Sequence, residues 1–269
     1  LFNKAYNQTL EPRLFYLYVP NRKQHQAPDF DIKESTLTYE QLFRDNRFSG
    51  FDRLSNANQL SAGLVSRLQN KSNGAQYLKL GLGQAFYFQN MITTICDKKT
   101  SPNCITTEIP DYNHRVSPFV TELNINFDPK VYGQAEWQWD YDLKKSRKLN
   151  VGLHYSDKQF SNAQQTLFNI EYNFLKEGNI QYWVDGQRIF AVNDPRNDLS
   201  EVEASFKLPV HNNWNILGFT SYDLAHQSTL NNYLGAEFQQ CCWAIRFGYQ
   251  NQLRLRANSK ADKKYDNIY

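Results

Sequence analysis

A strict alternation of apolar and polar residues is the feature that most constrains what this chain can fold into. It is clearest between residues 131 and 143. The apolar set there is Val131, Gly133, Ala135, Trp137, Trp139, Tyr141 and Leu143, and the other set is Tyr132, Gln134, Glu136, Gln138, Asp140 and Asp142. Successive side chains of a β-strand point to opposite faces, so the segment predicts a strand with one apolar and one polar face. It is longer than a usual strand of about 5–6 residues, and it matches a tilted membrane strand, which needs about 9–11.

The same period recurs along the chain. It is strong at 119–127, 149–155, 165–174, 201–208 and 241–249, and weaker at 10–19, 58–68, 75–89, 180–188, 214–223 and 230–239. These segments and the turn signals between them predict about a dozen strands. Gly81 and Gly83 lie inside one such run with no helix after it, which predicts bending or close packing there rather than a phosphate loop.

The composition favours a membrane barrel over a soluble enzyme. Aromatic residues make 15% of the chain, yet the mean hydropathy is −0.69. A barrel that turns one face to lipid, fills its lumen with polar groups and places aromatic residues at both interfaces has such a composition. No apolar run approaches the length of a membrane helix, and residues 1–4 do not open a signal peptide. We therefore expect a piece of a longer exported protein.

The connections differ in length. Residues 69–74, 128–130 and 176–179 predict short turns, and residues 20–57, 90–114 and 189–200 predict long loops. Outer-membrane barrels have short periplasmic turns and long external loops, so we expect the first group inside and the second group outside. The expected fold is all-β: part of an antiparallel transmembrane outer-membrane β-barrel. A soluble β-sandwich is the alternative, since alternating strands also build sandwiches.

The sequence contains no motif for catalysis, metal binding or cofactor binding. The net charge of +3 and the short basic stretch 144–148 do not indicate nucleic-acid binding. The five His residues are scattered without metal-ligand spacing, and no nucleophile or dinucleotide motif occurs. We expect no catalytic residue, no metal and no cofactor.

The four cysteines predict disulfides. If 241–249 is one strand, Cys241 and Cys242 point to opposite faces and cannot readily bond to each other. Cys96 and Cys104 flank a polar loop with Pro102 and Asn103, so a local disulfide is the simplest interpretation. Cys241 and Cys242 would then need partners outside this chain. The alternative is that all four are free.

Several runs resemble the lipopolysaccharide-assembly family LptD. The most specific are Leu42-Phe43-Arg44-Asp45 with Phe48-Ser49-Gly50-Phe51-Asp52-Arg53, and Cys241-Cys242-Trp243-Ala244-Ile245-Arg246. Further matches lie at 10–13, 17–20, 56–59, 83–84, 87–88 and 248–249, so the runs span nearly the whole chain in the family's order.

The resemblance implies a function in transport without catalysis. LptD is a large outer-membrane barrel preceded by a periplasmic jellyroll, and it delivers lipopolysaccharide to the cell surface of Gram-negative bacteria. The lipoprotein LptE plugs its lumen, and the jellyroll docks to the periplasmic bridge protein LptA. Residues 1–269 would then be a C-terminal part of the barrel in contact with membrane lipid, without the jellyroll and the closing strand. In this family the sugar chain of lipopolysaccharide is thought to leave the lumen through a lateral gate between the first and last strands of the barrel. A fragment without the closing strand is not expected to form that gate by itself.

The resemblance also assigns roles to particular residues. Cys241 and Cys242 match an adjacent pair that bonds to cysteines of the jellyroll. Cys96 and Cys104 have no counterpart in the family pattern, which leaves a rival pairing between the two sets open. Rival functions are a general porin-like channel and an outer-membrane barrel enzyme.

The charged loop 42–59 has two interpretations. In the first, the loop folds into or over the lumen, near the plug or the sugar chain of lipopolysaccharide. In the second, which we favour, ion pairs among its charged side chains only hold a long loop in place. Strand parity places further side chains in the lumen, and a register slip of one residue would reverse that assignment. The candidates facing the lumen or the plug are Arg44, Asp45, Arg47, Asp52, Arg53, Glu136, Gln138, Asp140 and Arg246.

Overall fold

Antiparallel β-strands dominate the computed structural model, which confirms the predicted all-β fold class. The structure describes residues 5–22, 24, 33–50, 52–89, 115–141, 144–158, 165–176, 180–184, 187–191, 198–211, 213–254 and 263–268. The strands are β1 (Tyr6–Val19), β2 (Lys33–Glu34), β3 (Phe48–Ser49), β4 (Ala57–Asn70), β5 (Gln76–Tyr87), β6 (Phe119–Asn126), β7 (Val131–Asp140), β8 (Lys145–Lys158), β9 (Gln165–Leu175), β10 (Ile180–Val184), β11 (Gln187–Ala191), β12 (Leu199–His211), β13 (Trp214–Asp223), β14 (Ser228–Gln239), β15 (Ala244–Arg254) and β16 (Lys263–Ile268). A 3-10 turn, η1 (Glu40–Phe43), precedes β3.

Most strands follow one another in chain order. The main sheet runs β1-β4-β5-β6-β7-β8-β9-β12-β13-β14-β15-β16, while β2 pairs with β3 and β10 pairs with β11. The chain divides into two compact units. The first comprises Leu1–Asn124, Glu136–Lys148 and Lys176–Asn197, and the second comprises Ile125–Ala135, Leu149–Leu175 and Asp198–Tyr269.

In the first unit, one side of β1, β4 and β5 is bare and apolar. Leu10, Leu14, Tyr16 and Tyr18 alternate along β1 and are all exposed. The opposite side carries Gly63, which lies across from Arg13 on β1 and from Gly83 on β5. We call this opposite side the covered face, because η1 packs onto it.

The second unit separates apolar from polar side chains in the same way. Phe168, Ile170, Leu234 and Phe247 are exposed on one side, which we call the apolar face. The other side, the polar face, buries carboxylates and hydroxyls such as those of Glu201, Ser221 and Glu237. This confirms the alternation predicted over 165–174, 201–208 and 244–249, because strand pairing keeps the alternate positions of neighbouring strands on one side.

One sequence prediction about the strands is wrong. The segment predicted as one strand over 180–188 instead contributes to two strands, β10 and β11, which pair only with each other within the described residues. Of the short turn predicted at 176–179, residues 177–179 lie outside the described residues, so it stays a prediction.

The tightest packing of the first unit lies on the covered face. Tyr39, Leu42 and Phe43 pack there with Val65, Ala85 and Val120, and all are buried. Within the described part of the chain, no helix is long and apolar enough to cross a membrane.

Candidate functional site

The segment around η1, which the structure describes over residues 35–50 and 52–56, packs on the covered face against three glycines. A Cβ added at Gly63 would lie 2.6 Å from Cζ of Phe43, and one added at Gly83 would lie 2.7 Å from Cδ1 of Leu42. At Gly81 the nearest atoms belong to the Tyr39 ring, at 3.3 Å. The close packing predicted at Gly81 and Gly83 is confirmed. The sequence pattern does not single out Gly63, since its contact joins residues distant in sequence.

Polar contacts also tie the segment to the strands. The Arg13 guanidinium lies 4.2 Å from the centre of the Phe43 ring. Glu40 faces both Arg13, at 4.0 Å, and Lys79, at 3.5 Å, and Lys79 also pairs with Glu122 at 3.0 Å. The covered face is thus bridged by aromatic and charged side chains of the connection that follows β1.

The charged residues of loop 42–59 differ in their exposure. Arg44 and Asp45 are exposed, Arg47 and Asp52 are half-buried, and Arg53 is 2% exposed. Asn46 organises the loop: its side chain donates to the Arg53 carbonyl at 2.9 Å and accepts from the Phe48 and Ser55 backbone amides, both at 3.3 Å. Both interpretations of these charges, lumen contact and loop support, stay predictions.

The candidates on β7 alternate with its apolar side chains, and their assignment to a lumen stays a prediction. Gln138 and Asp140 are buried, while Trp137 is partly exposed. Gln138 donates to the Leu37 carbonyl, and Lys148 donates to Glu136 at 2.6 Å. Arg147 lies 3.5 Å from Asp140. These carboxylates and the amide are occupied by internal contacts, and Gln138 contacts the same connection that carries η1.

A buried carboxylate with two cations lies on the polar face of the second unit. Glu237 is 4% exposed, and its Oε1 accepts from Lys207 Nζ at 2.6 Å. Its Oε2 accepts from Arg246 Nε at 3.1 Å and from the same guanidinium's Nη2. Asn215 donates to Oε1 at 3.4 Å. Parity predicts Arg246 on this side, but the sequence does not pair it with Glu237 or Lys207.

Nearer the Leu224–Gln227 turn, the polar face turns acidic. Glu171 and Glu203 lie directly across from each other on β9 and β12. Ser221 donates to Glu201 on the same side. His154 is 6% exposed, with its Nδ1 3.0 Å from Asn169 Oδ1 and its Nε2 3.7 Å from Glu171. Directly opposed like charges destabilise a sheet.

The adjacent cysteines lie in the connection between β14 and β15. The prediction that 241–249 is one strand is wrong at its start, because β15 begins at Ala244 and Cys241 and Cys242 occupy a bend. The argument that their side chains point to opposite faces therefore fails. The two sulfur atoms are 2.8 Å apart, and both residues are exposed. Cys96 and Cys104 lie outside the described residues.

An aromatic cluster marks the strand ends beside the cysteines. The rings of Trp214 and Phe238 are 5.1 Å apart, and those of Phe238 and Trp243 are 5.3 Å apart. The Gln239 amide donates to the Asn213 carbonyl at 2.8 Å, so the turn between β12 and β13 lies at the same end. Tryptophan clusters of this kind are typical of the water interface of membrane proteins.

Comparison with known proteins decides the family. The family model described as LPS transport system D matches residues 1–214. The chain belongs to the LptD family. The LPS-assembly protein LptD of Pseudomonas savastanoi pv. phaseolicola is 32% identical over 261 residues, which cover 91% of this chain and 27% of the relative. Its counterpart in Alcanivorax borkumensis is 32% identical over 254 residues, covering 94% and 29%, and that of Legionella pneumophila (strain Lens) is 30% identical over 269 residues, covering 97% and 30%.

This chain spans less than a third of the length of these LptD relatives. The match to the LptD family model ends before β14, so the cysteine pair lies beyond it. Among the described residues, no group of three or more His, Cys, Asp and Glu side chains could hold a metal ion.

The thiols of this LptD-family chain should differ in reactivity. The Cys242 thiol donates a hydrogen bond to Cys241 Sγ, which stabilises its protonated form and raises the pKa of Cys242 above that of an ordinary cysteine, so less of it is thiolate near neutral pH. In the reduced full-length protein, Cys241→Ala should lower that pKa and speed iodoacetamide alkylation of Cys242 several-fold at neutral pH, as measured by mass spectrometry. Well above the ordinary thiol pKa, the two rates should converge. Equal rates at neutral pH would contradict the hydrogen bond.

Proposed function

We propose that this chain forms part of the membrane wall of an outer-membrane translocon that inserts lipopolysaccharide into the outer leaflet in Gram-negative bacteria. Membership of the LptD family supports the proposal, together with a sheet whose one face is apolar and whose other face is polar or covered. The apolar side faces lipid and the other side faces the lumen. Transport needs no bond-making residue, which fits a site of ion pairs and amides.

The proposed partners lie largely outside this chain. The lipoprotein LptE plugs the lumen, and LptA docks to an N-terminal periplasmic domain. Residues 1–269 act as a C-terminal part of the barrel, whose closing strand and jellyroll are supplied by the rest of the protein. The charged loop 42–59 is the part of this chain that LptE or the sugar chain of lipopolysaccharide would meet.

The observation that carries the proposal is the placement of the cysteine pair. Cys241 and Cys242 are exposed, lie outside the strands, and flank the interfacial cluster of Trp214, Phe238 and Trp243. Thiols at this level are accessible to a domain on the periplasmic side and stay out of the bilayer. Disulfides from both cysteines to the N-terminal domain would hold the end of that domain from which lipopolysaccharide leaves against the rim of the barrel.

The test compares full-length protein on non-reducing and reducing gels, with Cys241→Ser, Cys242→Ser and both together. Each single change should remove one slow-migrating oxidised form, and the double change should strongly reduce arrival of lipopolysaccharide at the cell surface. As a control, Ala225→Cys adds a thiol in the exposed turn at the opposite strand end, and it should leave both readouts unchanged. Unchanged mobility in all cysteine variants, with a Cys96–Cys104 bond alone, would favour a porin-like barrel.

A further inference from the structure

Three glutamates on the polar face of the second unit, Glu171, Glu201 and Glu203, form what we call the carboxylate cluster. Glu171 on β9 and Glu203 on β12 lie directly across from each other. Glu201 lies two residues from Glu203 on the same side of β12, and their carboxyl groups are within hydrogen-bonding distance. Within the described residues, no lysine or arginine pairs with any of the three.

A buried histidine nitrogen faces the carboxylate cluster. His154 is 6% exposed, and its Nδ1 lies 3.0 Å from Asn169 Oδ1. Asn169 donates from its Nδ2 to Ser205 at 2.9 Å, so its Oδ1 accepts from His154 Nδ1. In the neutral ring, Nε2 is then an acceptor. It lies 3.7 Å from Glu171 Oε1, too far for a hydrogen bond, and it has no hydrogen-bond partner in the described part of the chain.

The His154 ring is held in this position by its neighbours. The Tyr132 ring stacks on it, with ring centres 4.4 Å apart and planes 15° from parallel. Gly152 leaves space for Nε2, since a Cβ added there would lie 2.7 Å from that atom. A side chain at position 152 would therefore displace the imidazole. Packing thus directs Nε2 at the carboxylate cluster.

The groups that meet here are nearly all hydrogen-bond acceptors. An ionised carboxylate accepts through both oxygens and donates nothing. Ser221 donates to Glu201, while Glu171 and His154 Nε2 receive no hydrogen bond from the described residues. A fitting ligand is therefore a cation with several donors. A metal ion does not fit, because no three His, Cys, Asp or Glu side chains of the described chain could hold one. A guanidinium carries five donors in a rigid plane and matches carboxylate geometry.

We propose that the carboxylate cluster, beside His154, binds the guanidinium of an arginine from the protein that fills the lumen. The inference rests on the proposed function, in which the polar face is the lumen side and a lipoprotein plugs the lumen. Glu171 can be reached from that side, because its side chain is 28% exposed. Complementary charge selects the partner, since the cluster lacks the cation that a buried carboxylate needs. Glu237 differs, because Lys207 and Arg246 already pair with it.

The test uses the full-length protein purified together with its lipoprotein partner. Phenylglyoxal, which modifies accessible arginines, is applied to the complex, and the modified residues are located by peptide mass spectrometry. With the natural sequence, one arginine of the lipoprotein should be protected. In Glu171→Gln and in Glu203→Gln that arginine should react about tenfold faster, the factor that one hydrogen bond to a charged group is worth. Glu11→Gln is the matched control, because Glu11 already pairs with Arg67 on the covered face, and it should leave the protection unchanged.

Three results would overturn the site. These are unchanged protection in Glu171→Gln and Glu203→Gln, an equal loss of protection in Glu11→Gln, and a change at an arginine of this chain instead of one of the lipoprotein. A rise spread over all arginines of the lipoprotein would mean that the whole complex has loosened, and it would also overturn the site. Tryptophan fluorescence on heating should show both glutamine variants folded, because an amide removes the repulsion between the facing carboxylates.

Failure of the site can be distinguished from failure of the proposed function. If no lipoprotein purifies with the full-length protein, both fail. If it does, and its arginines react alike in every variant, only the site fails. The gel experiment on Cys241 and Cys242 uses no arginine and gives its result independently.

Discussion

Replacing Gly63 by Ala is expected to detach the segment around η1 from the covered face. The new methyl group would lie 2.6 Å from Phe43 Cζ and 2.8 Å from the Tyr39 hydroxyl, so both rings have to move. Overpacking of this kind costs about 1–3 kcal/mol. Trypsin applied to the full-length protein in lipid vesicles should then cut after Arg53, which is 2% exposed in the packed segment.

Gly81→Ala is the matched control for this prediction. It adds the same methyl group to the same face, but the nearest ring atoms of Tyr39 are 3.3 Å away and a small shift accommodates it. Cleavage after Arg53 should rise much less than in Gly63→Ala. If the two variants are cut at the same rate, the packing of Phe43 and Tyr39 on Gly63 does not hold the segment in place.

The alternation of side chains could be predicted because it is a property of each strand by itself. Buried Gln138 and Asp140 beside the more exposed Trp137 follow from parity alone, as do exposed Phe168 and Ile170. The start of β15 could not be found in this way. Trp243 continues the apolar pattern back from Ile245, yet the strand begins only at Ala244 and leaves the cysteines in a bend.

Contacts between residues distant in the chain could not be predicted from the sequence. Gly63 and Phe43 meet only because β1, β4 and the connection between them fold back on one another, and no local pattern records that distance. The same holds for the contact of the Phe206 ring with Gly218, which depends on the register of β12 and β13. The residues of the hairpin of β10 and β11 alternate as those of the sheet strands do, so the pattern alone cannot distinguish the two.

The Glu237 cluster has the second large expected effect. Glu237→Gln keeps the shape of the side chain but leaves Lys207, whose side chain is 18% exposed, beside Arg246 without a compensating charge. Breaking a buried ion pair by removing one partner costs about 3–5 kcal/mol. The urea midpoint of the full-length protein in lipid vesicles, followed by tryptophan fluorescence, should fall clearly.

The two cations of this cluster provide the internal comparison. Lys207→Met removes the more buried partner of Glu237, while Arg246→Met removes a side chain that is 58% exposed and already screened by water. We expect Lys207→Met to lower the midpoint more than Arg246→Met. In Glu237→Gln, adding Lys207→Met should restore part of the loss, because the unpaired buried charge is then gone. A loss that is the same with and without Lys207 would mean that Glu237 acts through packing, and that its charge contributes nothing to stability.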